Sequence, residues 1–220
     1  MKGAFSCPVP WTLLLKTRFL NNKYSTQATK TLGQCDQIES ISESTYTVTM
    51  KTQIANFQLL ANFNKWTNEK IINSCKKLTE TEYKKDREAF FSSIHGTLNH
   101  LLVVDRAYIF HIEGKDHGLK SLDQILYENL FQLEKARIEE DKRLVDLVNN
   151  LLEESINKEI TYNGFETGKT TYTINTILIT LFNHQTHHRG QIHNMLSQAG
   201  IKPPQIDIPD FIETRNKNKG

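Results

Sequence analysis

Leu122, Leu126, Leu130 and Leu133, followed by Leu144, Val148 and Leu151, recur at steps of three and four residues. That step puts them on one face of an α-helix, and a helix with one apolar face has to bury it against other helices or a sheet. The pattern predicts a helix from Ser121 to about Ser155, and it is not alone. Ile54, Phe57, Ala61, Asn64 and Ile71 or Ile72 keep the same spacing from Met50 through Lys77. Phe91, Ile94, Leu98, Leu101 and Tyr108 keep it from about Arg87 to Ile112, where Gly114 and Gly118 supply a stop. A last helix is expected from about Ile174 to Gln198, ended by Gly200 and by Pro203 and Pro204. Thr79 with Glu82 reads as a capping box that opens a short helical turn. Between Ile160 and Tyr172 the β-branched and aromatic residues around Gly164 and Gly168 predict a short hairpin or extended connection. The expected fold class is therefore all-α: a four-helix bundle with one extended link before its last helix.

Composition permits such a core. The chain has 220 residues, 38% of them apolar and 24% charged, which fits a globular domain and argues against disorder. No run approaches the roughly 18 to 20 apolar residues of a membrane span, so no membrane partner is expected. Three cysteines, Cys7, Cys35 and Cys75, form no CxxC pair, so neither a disulfide framework nor a thiolate zinc site is expected.

The charges are unevenly placed. Lys2, Lys16, Arg18, Lys23 and Lys30 lie before Asp36 with no acidic residue among them; beyond Cys35, 22 basic groups face all 25 acidic ones, a formal charge of −3. A mildly acidic body argues against a nucleic-acid partner. Residues 1–35 have the composition of a mitochondrial transit peptide, basic and hydroxyl-rich. A secretory signal fits less well, because Pro8 and Pro10 flank the apolar stretch from Trp11 to Leu15 and Lys16 closes it. The expectation is mitochondrial delivery, with a cytoplasmic protein bearing a disordered extension as the alternative. Residues 36–49 read as a linker, 50–211 as the helical domain and 212–220 as a polar tail.

The last helix carries histidines at core positions: Ile177, Leu181, His184, His188, Gln191 or Ile192, and Met195 form one stripe. Two imidazoles at i and i+4 stand one turn apart on one face, the spacing from which both can hold one metal ion. A third ligand is needed, and the second helix offers His95, His100 and His111. His100 and His111 share a face, but roughly 16 Å of helix axis separates them, so they cannot serve one ion. Spacing alone leaves the choice among the three open. His187 and His193 flank the stripe and are expected near the surface; His117, beside Gly118, is expected in solvent.

The segments Phe90-Phe91-Ser92-Ser93-Ile94-His95-Gly96-Thr97-Leu98-Asn99-His100 through Arg106, and Phe182-Asn183-His184-Gln185-Thr186-His187-His188-Arg189-Gly190-Gln191-Ile192-His193, resemble the two signature stretches of DinB-like proteins, which group with the YfiT-type metalloenzymes. The resemblance covers about Met50 to Phe211. It implies an up-down-down-up bundle, commonly a homodimer, with a divalent metal held by three histidines. Carried over by position these are His100, His184 and His188. Tyr108 departs from the pattern, standing where the family often has Trp.

Asp105 interrupts an apolar stripe and must be paired, by a ligand histidine's far N–H or by Arg189, so both are expected behind the ligands. Gln191, one turn beyond His188, is expected at metal-bound water. Three neutral histidines leave a bound ion an open position, with zinc the first expectation and nickel the second. No residue other than the ligands is assigned a catalytic role. The resemblance puts thiol S-transfer first, with a low-molecular-weight thiol as cosubstrate and a small molecule as substrate. A metal-water hydrolase comes next, and a metal-binding stress-response protein without turnover third.

Overall fold

A computed structural model describes residues 43–218, with side chains from Gln53 onward; the expected leader and the first half of the expected linker lie outside the described residues. The chain is mostly helical, with one small two-stranded sheet. Its long helices are α1 (Glu43–Cys75), α3 (Ile94–Ile112), α4 (Leu130–Asn149) and α5 (Ile174–Gln198). Short α2 (Glu80–Lys84) follows α1, and α6 (Ile208–Lys217) closes the described chain. Strands β1 (Glu159–Gly164) and β2 (Gly168–Thr173) pair antiparallel, Glu159 opposite Thr173 and Gly164 opposite Gly168, and lead directly into α5. No helix among the described residues is long and apolar enough to cross a membrane.

Helix α1 packs on α4 and α5, and α3 packs on the same two. The apolar faces that meet there form two separate cores. One gathers Phe57, Ala61, Ile109, Leu144, Val148, Leu178 and Leu181; the other gathers Ile71, Ile94, Leu98, Leu133, Ile192 and Leu196. Each long helix therefore crosses from one core to the other, and the residues at the crossing are polar and buried. They are Asn64 and Asn68 on α1, His100 and Asp105 on α3, Arg137 and Asp141 on α4, and Gln185, His188 and Arg189 on α5. Burying such groups is tolerable only when they are paired, so this layer dictates which side chains face each other.

Several boundaries differ from those the periodicity predicts. Helix α1 starts at Glu43 rather than Met50, inside the stretch read as a linker. Helix α3 starts at Ile94, not Arg87: Ser93 caps it by accepting from the Gly96 N–H at 3.0 Å. The residues before the cap are folded back, with Glu88 and Ser92 at φ 57° and 59° and the Arg87 N–H donating to the Ser92 carbonyl at 2.7 Å. Helix α4 runs from Leu130 to Asn149 rather than Ser121 to Ser155, because Asn129 caps it and the residues before it are bound elsewhere. The Asn99 side chain accepts from both the Leu126 and Tyr127 N–H groups at 2.9 Å, which pins an irregular crossover against α3. Helix α6 runs across the expected boundary at 211 into the stretch read as a polar tail, and its Phe211 is buried against Phe63 and Trp66. The N-cap at Thr79 and the bounds of α5 are as the sequence predicts, but the Glu82 carboxylate accepts from Arg87 and Lys85 instead of closing the capping box.

Candidate metal centre

His184 and His188 stand one turn apart on α5 and face His100 on α3. One ring nitrogen from each lies within 4.8 Å of the others, and His100 Nε2 is 2.9 Å from His184 Nε2. Of the two other histidines on α3, neither joins them. His95 turns its Nε2 to the Tyr127 carbonyl at 2.9 Å, and His111 stacks on Tyr162 with ring centres 3.9 Å apart.

The partners of the outer nitrogens decide which lone pairs are free. His100 Nδ1 lies 2.8 Å from the Leu122 carbonyl, which can only accept, so Nδ1 carries the proton and Nε2 presents a lone pair. His188 Nδ1 lies 2.7 Å from Gln191 Oε1, an acceptor of the same kind, which leaves its Nε2 free. His184 Nδ1 is buried and has no hydrogen-bond partner among the described residues. Burial holds the His100 imidazole down to about 4, against the pull of the Leu122 carbonyl, and the His184 imidazole down to about 3, with the neighbouring rings adding to it. His188 is lowered as well, chiefly by burial. All three are neutral at pH 7, the form in which imidazole binds a metal. Gathered lone pairs without an acidic partner fit a divalent cation better than they fit one another.

Phe91 closes one side of this cluster. Its ring stacks on His100 at 3.7 Å and 19° and meets His188 edge-on at 5.6 Å. The folded-back segment before α3 exists to place it there, and Gly96 makes room: a Cβ at that position would run into the Phe91 carbonyl oxygen.

Asp105 and Arg189 sit beside the cluster in the buried polar layer. Arg137 bridges Asp105 Oδ2 at 2.7 Å and Asp141 Oδ1 at 3.0 Å, while Asn68 donates to Asp141 at 2.9 Å. Arg189 donates to Asn64 and, at 3.3 Å, to Gln185. Asp105 is fully buried, which pushes its carboxyl up to about 6 despite Arg137. Thus its cation is Arg137 on α4, a residue the sequence reading did not single out. Gln191 holds a ring nitrogen of His188 and lies 3.2 Å from His187 Nε2. His187 is exposed and His193 half-buried. His117 is not free in solvent: its ring stacks on Phe165 and meets His111.

Phe91 and the Leu122 carbonyl are the contributors that sequence reasoning missed. A backbone carbonyl leaves no trace in residue identity. The signal for Phe91 was Gly96, a glycine in the first turn of a helix otherwise rich in large residues, which marks a close backbone approach.

The sequence profile of the DinB family matches residues 48–219. Protein DinB of Bacillus subtilis (strain 168) is 32% identical over 158 residues, spanning 67% of this chain and 88% of that protein. The crystal structure of a DinB-like protein from Bacillus cereus ATCC 10987 covers 75% of this chain and 97% of its own, with 17% identity and a TM-score of 0.49.

Proposed function

The chain belongs to the DinB family, and from that premise we propose that it binds one divalent metal ion through His100, His184 and His188 and works as a metal-dependent enzyme, with thiol S-transfer as the leading reaction. The observation that carries this is the convergence of three neutral imidazoles from two helices, two of them with their lone pairs fixed inward by acceptors outside the cluster. A bound ion there would keep its double charge and at least one open position, and so supply Lewis acidity or hold a thiol as thiolate. Among the described residues the cluster has no fourth histidine, cysteine or carboxylate, which favours an open site over a closed structural one. Zinc is the first candidate and nickel the second, since both accept imidazole.

The protein's own groups have definite tasks in this reading. Leu122 and Gln191 fix two tautomers, Phe91 shields His100 and His188 from water, and the surrounding apolar residues keep the centre in a low dielectric. The four long helices form an up-down-down-up bundle in this reading, supported by the way α1 and α3 each pack on both α4 and α5. A metal-water hydrolase is the second reading, supported by the same open position.

Metal analysis of the purified protein tests the centre. About one divalent ion per chain is expected, lost in His184→Ala and in His188→Ala with helix content unchanged. A folded wild type that takes up neither zinc nor nickel would refute the centre. Chelator-sensitive consumption of a thiol in the presence of a model electrophile then separates the transferase from the hydrolase.

A further inference from the structure

His100 and His111 lie on one face of α3, eleven residues apart, and both line one cavity of about 420 Å³. Eleven residues of helix span about 16 Å, so the cavity is long. His100 and His184 stand at one end. At the other end His111 is stacked on Tyr162 of the hairpin, their rings 16° from parallel. Its volume falls within the roughly 300 to 1,000 Å³ of small-molecule sites.

The wall between these ends is apolar and aromatic: Val104, Ala107 and Tyr108 from α3, Ile177 from α5, and Phe165 and Tyr172 from the hairpin. No lysine or arginine is among the residues that line it, and the one carboxylate, Glu166, is exposed on the hairpin turn. The two threonines on the α5 side are already engaged. Thr180 Oγ1 donates to the Thr176 carbonyl at 2.8 Å, and Thr176 Oγ1 is 3.0 Å from Thr173 Oγ1. Burial also keeps two of the lining groups uncharged: the Tyr162 phenol is pushed up to about 12 and the His111 imidazole down to about 4. An ionised ligand body would lose its water here and find no opposite charge in the wall, which is costly. A flat apolar one would find aromatic faces.

We propose that this cavity is the substrate chamber of the histidine centre, and that it selects an uncharged, elongated aromatic molecule whose reacting group points toward His100 and His184. This rests on the metal-centre reading for the chemistry at that end, but not for the selectivity of the wall. It also divides the two substrates of a thiol transfer: the electrophile occupies the chamber, and the polar body of a charged thiol stays outside it.

The test is titration of the full chain, metal-free and zinc-loaded, with 2-naphthol and with 2-naphthoate, followed by calorimetry. The metal-free protein should bind 2-naphthol one to one and 2-naphthoate at least tenfold more weakly. Thr180→Trp, an exposed position on the cavity rim, should weaken 2-naphthol at least tenfold; Ile179→Ser, its exposed neighbour outside the cavity, should change it less than twofold. Both variants should keep the wild-type circular dichroism. Equal binding of the two probes to metal-free protein, or a folded Thr180→Trp protein that binds 2-naphthol normally, would overturn the chamber. Zinc failing to bind while 2-naphthol is held with this selectivity would instead overturn the metal reading and uphold the selectivity of the wall.

Discussion

Acidification separates this centre from an ordinary cluster of three histidines. An imidazole with the usual pKa of about 6.5 is protonated about ten to one at pH 5.5, so each ligand must lose a proton before binding. For three such ligands the affinity for zinc would fall about a thousandfold between pH 7.5 and 5.5, or about 4.1 kcal/mol. Here burial holds His100 down to about 4 and His184 down to about 3, so both remain free of protons at pH 5.5. Only His188, lowered from its ordinary value, can contribute, and the loss should not exceed about tenfold, or about 1.4 kcal/mol. The assay is competition for zinc against a chromophoric chelator at pH 7.5, 6.5 and 5.5. Calorimetry in buffers of different ionisation enthalpy, which counts the protons released, is a second readout. At pH 6.5 fewer than one proton should leave per zinc, where three ordinary imidazoles would release about one and a half. Circular dichroism must accompany each point, because the same depressed values make the metal-free fold acid-sensitive. The unfolded chain binds protons at these histidines below about pH 6.5 while the folded chain does not, so their contribution is whole above that pH and is lost as it falls toward 4. Asp105, raised to about 6, works in the opposite direction. A thousandfold drop in affinity with the protein still folded would refute the account of the site as three neutral imidazoles with lowered proton affinity.

Three further outcomes follow from the packing. Gln191→Ala removes the acceptor that orients His188 and should weaken zinc binding about 10- to 100-fold with little change in melting temperature, as chelator competition would show. Gly96→Ala forces a Cβ against the Phe91 carbonyl; urea unfolding should show a loss of about 1 to 3 kcal/mol, and an unaltered stability would mean that Phe91 is not held as described. Arg137→Met strands Asp105 and Asp141 and should cost about 3 to 5 kcal/mol, whereas combining it with Asp105→Leu and Asp141→Leu should recover most of that, measured by the same unfolding curves.

The elements were legible where apolar spacing and a local stop signal agree. The bounds of α5 fall where Gly200 and the prolines put the end and where the hairpin residues put the start. The i, i+4 histidines were legible for the same reason, since two titratable groups on an otherwise apolar stripe demand a partner. Periodicity failed where a side chain competes for the backbone. Leu122 and Leu126 continue the leucine spacing of α4, yet their segment is not helical, because Asn99 takes the Leu126 and Tyr127 N–H groups and His100 takes the Leu122 carbonyl. No local pattern encodes that, since the competing residues lie more than twenty positions away. The partner of Asp105 was hidden in the same manner: Arg137 reads as an ordinary charge on an amphipathic helix until α4 is laid against α3.

The polar layer and the histidine centre occupy the same level of α5, and that coincidence ties the chemistry to the packing. His184 and His188 face α3, while Gln185 and Arg189, each the next residue along, join the buried polar layer, where Arg189 meets Asn64 of α1. Sliding α5 by one turn, about 5.4 Å, would leave only one of the two histidines opposite His100 and would part Arg189 from Asn64 of α1. Leucine seams tolerate such a slip, because one apolar residue replaces another. A buried guanidinium does not, since an unpaired charge in that setting costs several kcal/mol. The layer therefore holds α5 in the one register that brings three ring nitrogens within 4.8 Å, and the apolar cores on either side supply the cohesion without having to supply the precision.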